Sequence, residues 1–204
     1  MAEKRSKRKS NLEGKSGAGV LDRLESAEAA SVLKMLLERH SELRSEAEAI
    51  ARGLLTEISP FSVADDVENA VLQFDYDDLN SRAGSHSWGY VEPSEAAQEL
   101  LDEAVEPFVS DMKRYLEMKL EAPARQLCHG IVLGLYRVRD SGNDILGWAP
   151  DFPGETAANV LEVWSERGAA EGGGAPAKKR GRRLSAAFVR EHMSDWGGLL
   201  KPRR

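Results

Sequence analysis

The apolar residues of this chain recur at intervals of three and four over most of its length, the spacing that lines one face of an α-helix. Between residues 43 and 58 the set Leu43, Ala47, Ile50, Ala51, Leu54, Leu55 and Ile58 falls on one side, while Arg44, Glu46, Glu48 and Arg52 take the other. Pro60 ends that helix. An earlier helix over about 27–39 presents Leu33, Leu36 and Leu37, and Ser41 offers a cap for the helix that follows. Ser62 starts a shorter helix with the stripe Val63, Val67, Ala70, Val71 and Phe74. Its acids Asp65, Asp66 and Glu68 lie near the N-terminus, where the helix dipole favours negative charge.

The longest helix begins at Pro93 and Ser94 and is carried by Ala97, Leu101, Ala104, Val105, Phe108, Met112, Tyr115 and Leu116. Pro107 lies inside that pattern while the apolar phase continues through it, which predicts one kinked helix and not two. Pro123, in a first-turn position, opens the next helix, where Leu127, Cys128, Ile131, Val132, Leu133, Leu135 and Tyr136 cover much of the circumference. Such breadth marks the central, most buried helix. Gly130 and Gly134, four apart, let a neighbouring helix approach closely. A last helix over about 155–166 carries Ala158, Val160, Leu161 and Trp164. No stretch alternates as a strand does and no hairpin signal stands between alternating runs. The expected fold is all-α: an antiparallel helical bundle or a short stack of helix hairpins, flanked by disordered basic arms at both ends.

Those arms emerge from the charge. The 204 residues carry a formal net charge of -6, with 41% hydrophobic and only 6% aromatic residues. By segment, residues 1–19 hold six basic and two acidic side chains, residues 20–169 thirteen and twenty-nine, and residues 170–204 nine and three. An acidic centre is thus flanked by two basic ends. Residues 1–19 have too few apolar side chains to offset the entropy of ordering, and the glycines at 172–174 beside Pro176 compose a flexible linker. The expected organisation is a basic arm at 1–19, an acidic helical domain at 20–168, a Gly-rich linker and basic patch at 169–183, and a short amphipathic helix with a basic tail at 184–204. A single cysteine excludes a disulfide framework or a cysteine-rich zinc module and points to a cytoplasmic, reducing setting. The apolar run at 131–136 is too short to span a bilayer, so no membrane insertion is expected.

Candidate chemistry concentrates in two places. Residues 75–93 read as the least helical stretch, with Asp75, Asp77, Asp78, Asn80, Arg82, His86, Trp88 and Tyr90, and long irregular stretches in compact domains are often functional. A calcium loop is excluded by Asn80 at its sixth position and His86 at its twelfth, where Gly and Glu are needed. The plain structural expectation is that Trp88 and Tyr90 cover the end of the bundle; the alternative is a ligand or partner site formed by Asp77, Asp78, His86, Trp88 and Tyr90. The four histidines are scattered, and Cys128 lies in an apolar stripe, where it reads as a buried small hydrophobe. No phosphate-cradling glycine loop or Gly-x-Ser-x-Gly elbow occurs. No metal and no cofactor are expected, and enzymatic activity is disfavoured.

The second place is the run Lys178, Lys179, Arg180, Gly181, Arg182 and Arg183. Its Arg-Gly-Arg centre resembles the AT-hook, a minor-groove peptide in which a glycine between two arginines lets the chain lie deep in a narrow groove. Arg183 stands where that family has proline, so the resemblance implies phosphate contacts more than A·T preference. Beyond it, Leu184, Ala187, Phe188, Met193, Trp196, Leu199 and Leu200 form a short amphipathic candidate that docks on the domain, on a partner or on a membrane surface. The segments at 36–44, 88–93 and 133–137 are similar to helical regions of uncharacterised bacterial proteins, some of them flanking SWIM-type zinc fingers, although the finger itself is absent. That resemblance implies a helical interaction domain. The functional expectation is an adaptor or accessory factor: the acidic body binds a protein partner, while Lys178, Lys179, Arg180, Arg182 and Arg183 contact DNA or RNA. The alternative is an enzyme or small-ligand binder with its site at 75–93.

Overall fold

The computed structural model describes residues 19–87, 89–169 and 183–198. The chain is all-α, as its spacing predicts, with helices α1 (Ser26–Arg39), α2 (Arg44–Thr56), α3 (Pro60–Leu72), α4 (Tyr76–Arg82), α5 (Pro93–Glu117), α6 (Glu121–Val138), α7 (Asp144–Trp148), α8 (Phe152–Ala169) and α9 (Ala186–His192). Strands β1 (Gly84–His86) and β2 (Gly89–Val91) pair antiparallel between α4 and α5. The basic arm read at 1–19 falls outside the described residues except for Gly19, as do the linker at 170–177 and Lys178, Lys179, Arg180 and Arg182.

The chain divides into two units, Met1–Ala51 and Arg52–Arg204. In the first, no residue from 19 to 51 is buried. The second holds the core. Its centre is α6, where Ala124, Leu127, Cys128, Ile131, Val132, Leu133, Leu135 and Val138 are all buried, and α3, α5 and α8 pack around it. Fully burying a Leu or Ile side chain stabilises the fold by about 1.5–3 kcal/mol, so this one helix supplies a large share of the driving force. The breadth of its apolar surface follows from having neighbours on several sides.

Gly130 and Gly134 set the approach of α3 to α6. A Cβ on Gly130 would stand 2.5 Å from the Cβ of Val63 and 2.7 Å from the carbonyl oxygen of Pro60. One on Gly134 would stand 2.7 Å from the Cβ of Val67 and 2.8 Å from the carbonyl oxygen of Ala64. The two glycines therefore form the seam into which Val63 and Val67 of α3 fit. On the flank of that seam Arg137 of α6 reaches Asp65 at 2.5 Å and Glu68 at 3.4 Å.

Boundaries differ from the sequence reading where local capping decides them. α3 begins at Pro60, with Ser59 as its N-cap, because proline lacks an N–H that this position would leave unused. α5 runs unbroken through Pro107. It ends with Lys119 at φ 59, and the Leu120 N–H donates to the Tyr115 carbonyl at 2.9 Å, the hydrogen bond that closes a helix terminus. The largest correction concerns residues 75–93: most of that stretch is ordered as α4 and the hairpin. The absence of strands expected from the missing alternation is overturned at Gly84–Val91, where three-residue strands are too short to show a period.

Candidate functional site

The side chains at 75–91 are used mainly to build their own local structure. Asp75 caps α4 by accepting from the backbone N–H groups of Asp77 at 2.8 Å and Asp78 at 3.2 Å. Asp78 returns the favour by accepting from the Asp75 N–H at 3.0 Å. Asp77 lies exposed in the same first turn. The His86 ring donates through Nε2 to the Arg82 carbonyl at 2.6 Å, which ties β1 to the end of α4. Tyr90 is 61% exposed, so it does not cover the end of the bundle as expected. Trp88 lies outside the described residues. Among the described residues no group of three or more His, Cys, Asp or Glu side chains could hold a metal ion.

Arg82 links this region to α5. Its guanidinium donates to both carboxylate oxygens of Glu103, at 2.7 and 2.5 Å, and this pairing holds the Glu103 carboxyl below its ordinary range. Glu103 stands on the rim of a groove of about 420 Å³ between α5 and α8. Val105, Val109, Val160 and Val163 form its floor; Asp102, Glu103, Glu106 and Lys113 edge it along α5. The groove follows from sequence spacing, since Asp102, Glu103 and Glu106 interleave with Val105 and Val109 at the border of the buried face of α5. The apolar stripe of α5 is legible in the sequence, while its acidic edge looks like any solvated helix face.

The segment after Arg183 docks on α3 and α6. Ser185 caps α9, and Phe188 stacks on His129 with ring centroids 4.6 Å apart and 15° between planes. Phe61 of α3 meets the same cluster, 6.3 Å from Phe188 and 5.2 Å from His192. Met193 is fully buried. Trp196 meets Tyr136 edge to face at 5.3 Å, and Asp195 accepts from Arg139 at 2.9 Å and from the Tyr136 hydroxyl at 3.3 Å. Arg139 in turn lies 4.1 Å over the Tyr136 ring. Of the three docking options read from sequence, this one is realised: the amphipathic segment closes on its own domain.

Burial shifts the titration of two neighbouring groups of α6. His129 is 6% exposed, and its Nε2 has no hydrogen-bond partner among the described residues. Burial, with a smaller contribution from the Arg125 charge, lowers its pKa to about 4. Burial likewise pushes the Cys128 thiol up to about 12, which keeps it protonated and unreactive. Arg183, by contrast, is exposed and borders a hollow of about 350 Å³ with Glu121, Arg125 and Trp164.

No protein-family model, curated protein or solved structure matches the chain. Among the described residues no helix is long and apolar enough to cross a membrane.

Proposed function

We propose that this protein is an adaptor or accessory factor of the cytoplasm, with an acidic helical body that holds a protein partner and a basic segment that holds nucleic acid. The observation that carries this reading is where the basic run begins and ends. α8 precedes it and Arg183 closes it, and both belong to the unit that contains the core. Between them Lys178, Lys179, Arg180, Arg182 and Arg183 put five cations within six consecutive positions, enough to meet several phosphates together. The setting in the cytoplasm rests on the single cysteine, which leaves the chain no internal disulfide.

The body suits a different ligand. An apolar floor edged by Asp102, Glu103 and Glu106 complements an amphipathic helix with Lys or Arg beside its apolar face. The α5–α8 groove is the proposed partner surface.

Salt dependence tests the nucleic-acid half. Lys178, Lys179, Arg180, Arg182 and Arg183 at five phosphates give a slope of log K against log salt of about -4 to -5. The full chain should lose roughly 500-fold in affinity for a labelled duplex between 50 and 200 mM salt. Replacing Arg180, Arg182 and Arg183 by Ala should flatten the slope by about 3. Absence of binding by the full chain at low salt removes the reading; equal binding of single-stranded RNA and duplex DNA assigns it to phosphates alone. For the groove, a helical Leu/Lys peptide should bind the full chain and fail to bind the Val163→Glu variant. Equal binding of both would move the partner surface elsewhere.

A further inference from the structure

α1 and α2 are amphipathic helices whose apolar stripes face solvent. Leu33 is 50% exposed, Leu36 43%, Ile50 58% and Leu54 78%, with Val32, Met35 and Leu43 also exposed. The contrast within α2 is informative. Leu55 on one edge is partly buried, as is Ile58 just beyond the helix, while Ile50 and Leu54, in line with Leu43 just before it, are exposed. Helices of 13 and 14 residues are marginal in water without a partner for the apolar face.

We infer that these stripes are covered by the same stripes of a second copy, so that the chain is a two-fold symmetric dimer held together through α1 and α2. Area is the first argument. The seven exposed apolar residues between Val32 and Leu54 amount to roughly 700 Å² on each copy, close to the ~800 Å² that each partner brings to a stable interface. Val20 and Leu21, 80% and 70% exposed, extend it further. Symmetry is the second, because a two-fold axis brings identical patches into mutual register and meets the requirement with no other protein.

Charge is the third. Glu28 lies five residues before Leu33 and Arg39 six residues after it, and helical spacing puts both on the same flank of the stripe. In an antiparallel pair of α1 helices crossing at Leu33, that flank faces its own copy, and each Glu28 meets an Arg39 twice over. Glu28 is held in place for this by one carboxylate oxygen, which accepts from the Glu25 N–H at 3.0 Å. The acidic groove between α5 and α8 has no such self-complementarity, since two copies of it would repel.

Sedimentation velocity on the full chain at micromolar concentration tests the dimer. The native protein should sediment as a dimer, and both Leu33→Asp/Leu36→Asp and Ile50→Asp/Leu54→Asp should sediment as monomers. Because the substituted positions are exposed, the thermal transition of the core should stay in place, which separates lost association from lost folding. Arg39→Glu alone should raise the dimer dissociation constant about fivefold, the effect of two exposed pairs, and Glu28→Arg/Arg39→Glu should restore it. A monomeric native protein overturns the inference, including one in which amide exchange shows α1 and α2 protected by the chain's own body. A dimer that survives both double-Asp variants overturns it too, and a double charge swap without restoration overturns the antiparallel pairing of α1.

Discussion

His129 shows how one residue can tie stability to pH. Its folded pKa of about 4 lies below the ~6.5 of a solvated imidazole, because a cation there would be stripped of water under Phe188 and would face Arg125. Above pH ~6.5 both folded and unfolded chains carry it neutral and it adds no pH dependence. As pH falls from there towards about 4, the unfolded chain takes up a proton that the folded one refuses. Stability is then lost at up to ~1.4 kcal/mol per pH unit, a few kcal/mol in all. Urea denaturation of the native protein and of His129→Phe across pH 4.5–7.5 measures this. Phe keeps the stacking on Phe188 and has no proton to bind, so it should be at least as stable at pH 7.5. Its advantage should grow steadily below pH 6.5; parallel profiles would place the histidine in contact with solvent. In the sequence His129 is one of four scattered histidines, since a neighbour such as Phe188, three helices further on, leaves no local trace. The burial of Cys128 beside it was legible, because the apolar stripe contains it.

At the scale of helices, much of the fold was readable from periodicity alone, and the failures have local causes. The wide apolar surface of α6, with Gly130 and Gly134 four apart, announced a central helix with a close neighbour, and α3 fills that place. α4 was missed because its cap uses Asp75 and Asp78 where a serine and a glutamate are the usual signal. The hairpin leaves no signal in the sequence because Ser87-Trp88, between His86 and Gly89, is not an Asn-Gly type of pair. Two substitutions probe helix geometry in opposite directions. Lys119 occupies the left-handed region at φ 59, where an L side chain costs about 1–2 kcal/mol that glycine avoids. Lys119→Gly should therefore raise stability by about 1 kcal/mol, or 2–4 °C in Tm for a chain of this length. Gly134→Ala should lower it by about 1–3 kcal/mol, because the new methyl group meets the Ala64 carbonyl as well as a side chain, and backbone cannot step aside. Calorimetry on the two variants decides both. A tolerated Gly134→Ala would mean that α3 can slide along α6.

At the scale of the molecule, charge and apolar surface divide the labour. The docked C-terminal segment is held by Phe188, Met193 and Trp196, with Asp195 as its ionic contact to Arg139, so its closure is mainly apolar and tolerates salt. The basic run that precedes it in sequence, under the proposed reading, acts on phosphates and so responds to salt. This division has a thermodynamic consequence. A ligand raises Tm only as far as it binds the folded chain better than the unfolded one. Lys178, Lys179, Arg180, Arg182 and Arg183 are adjacent in sequence, so unfolding leaves the cluster intact, while the acidic body beside it in the folded chain repels the same polyanion. Saturating duplex should accordingly leave the melting temperature within about 2 °C of that of the free protein, or lower it. If the body itself gripped nucleic acid, a hundredfold excess over Kd would add about 2.7 kcal/mol and raise Tm by roughly 5–11 °C. Differential scanning fluorimetry at low salt, with binding verified in the same sample, distinguishes the two. A large rise would move the nucleic-acid site from residues 178–183 onto the helices, and an unchanged Tm with tight binding keeps it in the connection between α8 and α9.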